Sequence, residues 1–199
     1  GTTPTPDTRA GESNKNKMTA RSHRFDVPSI IVTGGGSRGK IGEIAQELGA
    51  SRVLLVTDPG VVELGFVSEI ESILIEAGCE VKVFDDVQPD PTDLNVAAGV
   101  KALQEVDADL VVALGGGSPI DTAKVIAIRP ANPEPLSEFM GLHKIGRPGI
   151  PLVAIPTTAG TGSEATKVAV ITDTEREIKM MMLSAPLLPR AAIVDYELS

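Results

Sequence analysis

"ALGGGSPIDTAKVIA" (Ala113–Ala127) joins an apolar run to an apolar, helix-like segment through three successive glycines. A tight turn needs one or two, and each glycine costs about 0.5–1 kcal/mol of conformational entropy in regular structure. Three in a row at a strand-to-helix junction imply that something approaches the backbone closely. Ser118 followed by Pro119 suits a helix N-cap with proline in the first turn, and Asp121 has the spacing of a reciprocal capping box. A capped turn accounts for those three residues but leaves Gly115, Gly116 and Gly117 over-specified. An anion at the helix N-terminus, held by free N–H groups and the helix dipole, would use the glycines as well. Spacing alone leaves both readings open. The stretch matches neither G-x-G-x-x-G nor the phosphate-loop pattern.

Outward from this junction, short apolar runs alternate with amphipathic segments. "LVVAL" (Leu110–Leu114) leads into the glycines, and before it lie "SIIVT" (Ser29–Thr33), "RVLLVT" (Arg52–Thr57) and "EVKVF" (Glu80–Phe84). After it come "LVAI" (Leu152–Ile155), "KVAVIT" (Lys167–Thr172) and "AAIVD" (Ala191–Asp195). Between them, Ile41, Ile44 and Leu48 repeat at helical spacing before Gly49, and Val61, Leu64, Val67, Ile70 and Leu74 form one apolar face. Thr92 is placed to cap a helix bearing Leu94, Val100, Leu103 and Val106. This alternation predicts βαβ units and a parallel sheet flanked by helices, an α/β fold. In such sheets ligands bind beyond the carboxyl ends of the strands, which selects the segments after Thr57, Leu114 and Ile155.

Composition agrees. Of 199 residues, 42% are hydrophobic and only 3% aromatic, so Val, Ile, Leu and Ala must build the core, as suits strands buried on both faces. The net charge of −9, with both signs interspersed, argues against nucleic acid as the partner while leaving room for a small anionic ligand. No run of 18 apolar residues would span a membrane. A single cysteine, Cys79, fits a reducing, cytoplasmic setting. "GTTPTPDTRAGESNKNK" lacks the apolar centre of a signal peptide, and residues 1–24 read as a disordered tail in which Met18 is a candidate natural start.

"PTTAGTGSEAT" carries Thr157, Thr158, Thr161, Ser163 and Thr166 with Gly160 and Gly162, either a hydrophilic surface loop or a ligand-facing one. Asp58, in "VTDPG", either caps the next helix or accepts hydrogen bonds from a ribose diol, where it would repel a 2′-phosphate. "GGGSRG" (Gly34–Gly39) reads as a turn. His23 and His143 stand alone, Glu164 has no acid–base partner nearby, and Cys79 lacks a basic neighbour, so neither a metal cluster nor a nucleophilic site is expected in this chain.

Taken together, "DLVVALGGGSPIDTAKVIA", "VAIPTTAGTGSEAT", "VITD", "RVLLVTDPGVVELG" and "VQPDPT" resemble the iron-containing (group III) alcohol dehydrogenases from about Phe25 to Ser199. The resemblance implies a Rossmann-like, dehydroquinate synthase-like amino-terminal domain over residues 25–199 that binds NAD in preference to NADP. Gly116, Gly117 and Ser118 would hold the pyrophosphate, with Asp121 and Thr161 beside them. Thr157, Thr158 and Thr166 would line the adenine and ribose region, and Asp58 would read the adenosine ribose. Lys179 would approach the nicotinamide ribose, and Asp90 also matches a position near the cofactor. The family's metal, Fe2+ or Zn2+, is held by an Asp and a His one helical turn apart and two further histidines. These belong to an all-helical carboxyl-terminal domain absent from this sequence, and Asp195 is not one of them. The implied activity is hydride transfer between a small alcohol or aldehyde and NAD in a homodimer or larger homo-oligomer. The alternatives are a catalytically silent NAD-binding fragment and a relative of the glycerol dehydrogenases.

Overall fold

Nine strands and five α-helices follow from this alternation in a computed structural model that describes residue 1 and residues 24–199. The expected tail falls almost wholly outside the described residues, as do Met18 and His23. In chain order the elements are β1 (Ile30–Thr33), α1 (Ile41–Glu47), β2 (Arg52–Val56), α2 (Pro59–Glu63), α3 (Phe66–Glu76), β3 (Glu80–Phe84) and α4 (Asp93–Val106). They continue with β4 (Leu110–Gly115), α5 (Gly117–Ile128), β5 (Gly141–Leu142), β6 (Leu152–Pro156), β7 (Val168–Asp173), β8 (Ile178–Leu183) and β9 (Ala191–Val194).

Six strands form one parallel sheet in the order β1-β9-β6-β4-β2-β3. Alternate residues of the central strands feed two cores. Leu54, Val56, Val111 and Ala113 pack with α4 and α5, whereas Val53, Leu55, Leu110 and Val112 pack with α1 and α3. Every residue of β4 is buried, as expected of a strand covered on both faces. The chain runs outward from β2 to β3, then returns past β2 to β4 and continues to β6. Strand order therefore reverses between β2 and β4, and their carboxyl ends frame the crevice that such a reversal opens. A second, three-stranded sheet, β5-β8-β7, packs β7 against α5.

Three local expectations fail for identifiable reasons. The apolar period from Val61 to Leu74 spans two helices, because Gly65 turns the chain at φ 81°, and Leu64 is left 64% exposed. Leu94 is likewise exposed, and Val96 takes its place in the core. Ser118 does not cap α5: the helix starts two residues earlier, Gly116 occupies the N-cap, and no side chain caps it. Asp121 turns to β7, accepting from the Val170 N–H at 3.0 Å instead of reaching back. The capping box falls at α4, where the Thr92 hydroxyl accepts from the Asn95 N–H and the Asn95 carboxamide oxygen accepts from the Thr92 N–H.

Candidate dinucleotide site

The carboxyl ends of β2, β4 and β6 converge on a cleft of about 1040 Å³. Seven of the expected residues line it: Asp58, Gly116, Gly117, Ser118, Thr157, Thr158 and Thr161. Asp90, Asp121 and Lys179 line an adjoining cavity of about 280 Å³ that shares Gly117, Ser118 and Thr161 with the cleft. Thr166 lines neither; its hydroxyl accepts from the buried Lys124 ammonium at 3.3 Å.

The glycine turn is built for close approach. Gly115 adopts φ 148°, open only to glycine, and a β-carbon there would strike Pro119 Cγ at 2.7 Å. β-Carbons on Gly116 and Gly117 would sit 3.3 Å from Thr158 Oγ1 and 3.1 Å from Thr161 Cγ2. The threonine loop is hung directly opposite the glycines, its first amide, Thr157 N–H, donating to the Gly115 carbonyl at 2.9 Å. With glycine at the N-cap, the first-turn N–H groups of α5 at Gly117 and Ser118 have no side-chain partner and open on the cleft. A phosphate-sized anion fits this pairing of free amides and missing side chains.

Asp58 meets both readings of its segment at once. Oδ1 caps α2 by accepting from the Val61 N–H at 3.0 Å. Oδ2 faces Gly115, 3.3 Å from the position of a β-carbon there, at the mouth of the cleft. At the opposite end, Lys179 donates to Asp90 Oδ1 at 2.6 Å, and both side chains are well exposed. Burial pushes the Asp121 carboxyl up, against the pull of Lys124 and the Val170 N–H, and its Oδ1 is buried without a hydrogen-bond partner.

The first glycine cluster faces a different anion, one that the chain supplies itself. The Gly36 and Arg38 N–H groups donate to the buried Asp195 carboxylate at 3.1 Å each, and the Arg38 guanidinium adds a bond of 2.9 Å. Burial pushes the Asp195 carboxyl up, but the Arg38 and Glu197 amides, the Arg38 side chain and the Gly36 amide outweigh it and hold it below the usual range. Asp195 is thus an internal tie between β1 and β9. Sequence reasoning missed Leu64, Val87 and Pro89, which supply an apolar wall to the cleft beside the polar Gln88. The exposure of Leu64 could not be read from a periodicity that continues through Gly65. Among the described residues, no group of three His, Cys, Asp or Glu side chains is placed to hold a metal ion, and no helix is long and apolar enough to cross a membrane.

Comparison with known proteins fits this architecture. Residues 28–196 match the family described as iron-containing alcohol dehydrogenase. Over 174 residues the chain is 40% identical to the NAD-dependent methanol dehydrogenase of Bacillus methanolicus, a match covering 87% of this chain and 46% of that protein. It superposes on the crystal structure of a 1,3-propanediol oxidoreductase with a TM-score of 0.87 at 38% identity, covering 89% of this chain and 47% of the other. It also superposes on sulfoacetaldehyde reductase from Bifidobacterium kashiwanohense, solved in complex with NAD+, with a TM-score of 0.79 at 31% identity; 89% of this chain and 47% of that one are covered. The chain spans about half the length of the curated relatives it matches. With the parallel sheet, the reversal of strand order and the glycine turn in place, the chain belongs to the iron-containing alcohol dehydrogenase family.

Proposed function

We propose that residues 25–199 form the dinucleotide-binding domain of an NAD-dependent alcohol dehydrogenase. The observation that carries this reading is the uncapped start of α5, set opposite Thr157–Thr161 across a cleft with Asp58 at its mouth. The amides of Gly117 and Ser118 bind the pyrophosphate, with Gly116 leaving room for it. Asp58 Oδ2 accepts from the adenosine ribose diol, and the same carboxylate disfavours a 2′-phosphate, so NAD is preferred to NADP. Thr157 and Thr158 orient the adenosine half, with Leu64 beneath it. Thr161, Asp121, Asp90 and Lys179 contact the nicotinamide half, where Lys179 supplies an ammonium donor to the ribose. Bound NAD supplies the hydride acceptor for a small alcohol.

Among the described residues, no ligand set for a metal is present. The Fe2+ or Zn2+, the small alcohol or aldehyde and the homo-oligomer implied by the family resemblance are properties of the whole protein, and the chain spans about half the length of the relatives it matches. The free, buried Cys79 supports a reducing, cytoplasmic setting.

Calorimetric titration of the 199-residue chain with NAD and NADP tests the reading. The expected result is saturable NAD binding, weaker binding of NADP, and loss of both in Gly116→Val. Absence of NAD binding, or equal affinity for the two dinucleotides, would overturn it. Adding Fe2+ or Zn2+ with short alcohols is expected to give no turnover from this chain alone.

A further inference from the structure

Lys124 is the largest fully buried side chain in the structure. Taking an ammonium out of water is costly, so a lysine in this position calls for a specific partner. Its Nζ donates to the Val168 carbonyl at 2.7 Å and to the Thr166 hydroxyl at 3.3 Å. One turn earlier on α5, Asp121 Oδ2 accepts from the Val170 N–H at 3.0 Å. Two side chains of one helix thus grip successive backbone groups at the start of β7, immediately after the threonine loop. The other end of that loop is already tied to the same turn, through Thr157 N–H and the Gly115 carbonyl.

We propose that Lys124 is a positioning residue: by holding Thr166 and Val168 it fixes the Thr157–Thr166 loop against the glycine turn and so preforms the dinucleotide cleft. The proposal rests on the reading of that cleft as the NAD site. Lys124 Nζ also lies 3.8 Å from Asp121 Oδ1, an ion pair beyond hydrogen-bond distance, so the ammonium's hydrogen bonds are not spent on the carboxylate. The ammonium serves β7 and the loop instead. A hydrocarbon of the same length would fill the space and leave the Val168 carbonyl without its donor. The loop would then sample arrangements in which Thr158 and Thr161 no longer face Gly116 and Gly117. Apparent affinity falls in proportion to the fraction of molecules with the loop in place.

Amide hydrogen exchange on the free chain and NAD titration, both applied to Lys124→Met, separate this proposal from the function it rests on. The expected result is exchange at residues 157–170 faster by about tenfold. Exchange in α1–α3 stays unchanged, and NAD affinity falls by about tenfold. Ile70→Val, a core change on the far face of the sheet, should leave both readouts in the loop unaltered. Unchanged exchange at residues 157–170, or acceleration spread evenly over the chain, would overturn the clamp. If Lys124→Met fails to fold, Thr166→Val removes one of the two bonds, and its local exchange decides in the same way. If the wild-type chain binds no NAD, the functional reading falls while the exchange experiment still decides the clamp.

Discussion

Lys179 Nζ lies 2.6 Å from Asp90 Oδ1, joining two residues 89 positions apart at the rim of the cleft. β7 runs beside the loop before α4, with the Thr172 N–H donating to the Pro91 carbonyl at 2.8 Å, and this brings the following strand's lysine to the aspartate. An exposed pair of this kind contributes about 0–1 kcal/mol to stability. Replacing Lys179 by Met is therefore expected to leave the urea midpoint almost unchanged. It should weaken NAD binding by about tenfold or more, the value of one charge-assisted hydrogen bond. Parallel urea and calorimetric titrations check both halves.

Asp58 carries two roles that mutation can separate. Asp58→Ser keeps an N-cap acceptor for α2, so stability should hold within a few tenths of a kcal/mol, whereas Asp58→Ala should cost about 1 kcal/mol. Both remove the carboxylate from the mouth of the cleft, so both should narrow the preference for NAD over NADP. A serine variant that kept the wild-type preference would remove Asp58 from the ribose site.

Gly99 lets α4 and α5 touch. A β-carbon there would sit 2.2 Å from Ile126 Cδ1 and 3.2 Å from a Phe84 ring carbon. Alanine normally gains about 1 kcal/mol over glycine inside a helix. Here overpacking should reverse the sign, giving a net loss of about 1–2 kcal/mol in Gly99→Ala. Chemical denaturation reads it directly, and Gly99→Ala/Ile126→Val should recover part of the loss.

The buried ammonium makes a pH prediction. Burial pulls Lys124 down from 10.5 to about 8, against the pull of Asp121 and Glu164. Between those values the unfolded chain holds a proton that the folded chain has released, so stability rises with pH across the window. Below about pH 8 both states are charged and the burial cost is fully present. The stability of wild type relative to Lys124→Met should therefore increase by up to about 3 kcal/mol from pH 8 to 10.5. Urea titrations of the two proteins at about pH 7 and about pH 10 give the comparison, and a flat difference would contradict it.

Asp195 predicts the opposite limb. Its carboxyl is held below the usual range, so its contribution is complete above the ordinary carboxylate pKa and is lost as pH falls through the folded value. Asp195→Asn should be less stable than wild type at neutral pH, and the gap should close on acidification. Thermal melts of both proteins from about pH 7 down to about pH 3 follow it.

Much of this was readable because parallel-sheet strands are uniformly apolar, and Leu110–Leu114 could hardly be anything else. What escaped did so for local reasons. β8 alternates buried Met180 and Met182 with exposed Met181, and three identical side chains hide a period of two. Ser-Pro is a strong cap signal and sets the start of α5 two residues late, whereas an extended glycine N-cap leaves no trace in composition. Nothing in the sequence marks Lys124, since its partners are a backbone carbonyl and a hydroxyl more than forty residues away. The glycine clusters are alike in sequence and differ in what meets them: Asp195 stands against one, an open cleft against the other.

The pairing of β1 with β9 bears on the order of assembly. Ile30 to Thr33 register with Ala191 to Val194, and Asp195 binds the turn after β1 across 159 residues of chain. At 5–20 residues per second, a ribosome takes on the order of ten to thirty seconds to make that span. Throughout that interval β1 has no neighbour to join, because β9 is its one partner in the sheet among the described residues. β2, β3, β4 and β6 can associate as they emerge, while β1 waits until β9 has followed. A nascent chain halted before Ala191 therefore lacks two strands of the sheet, not one.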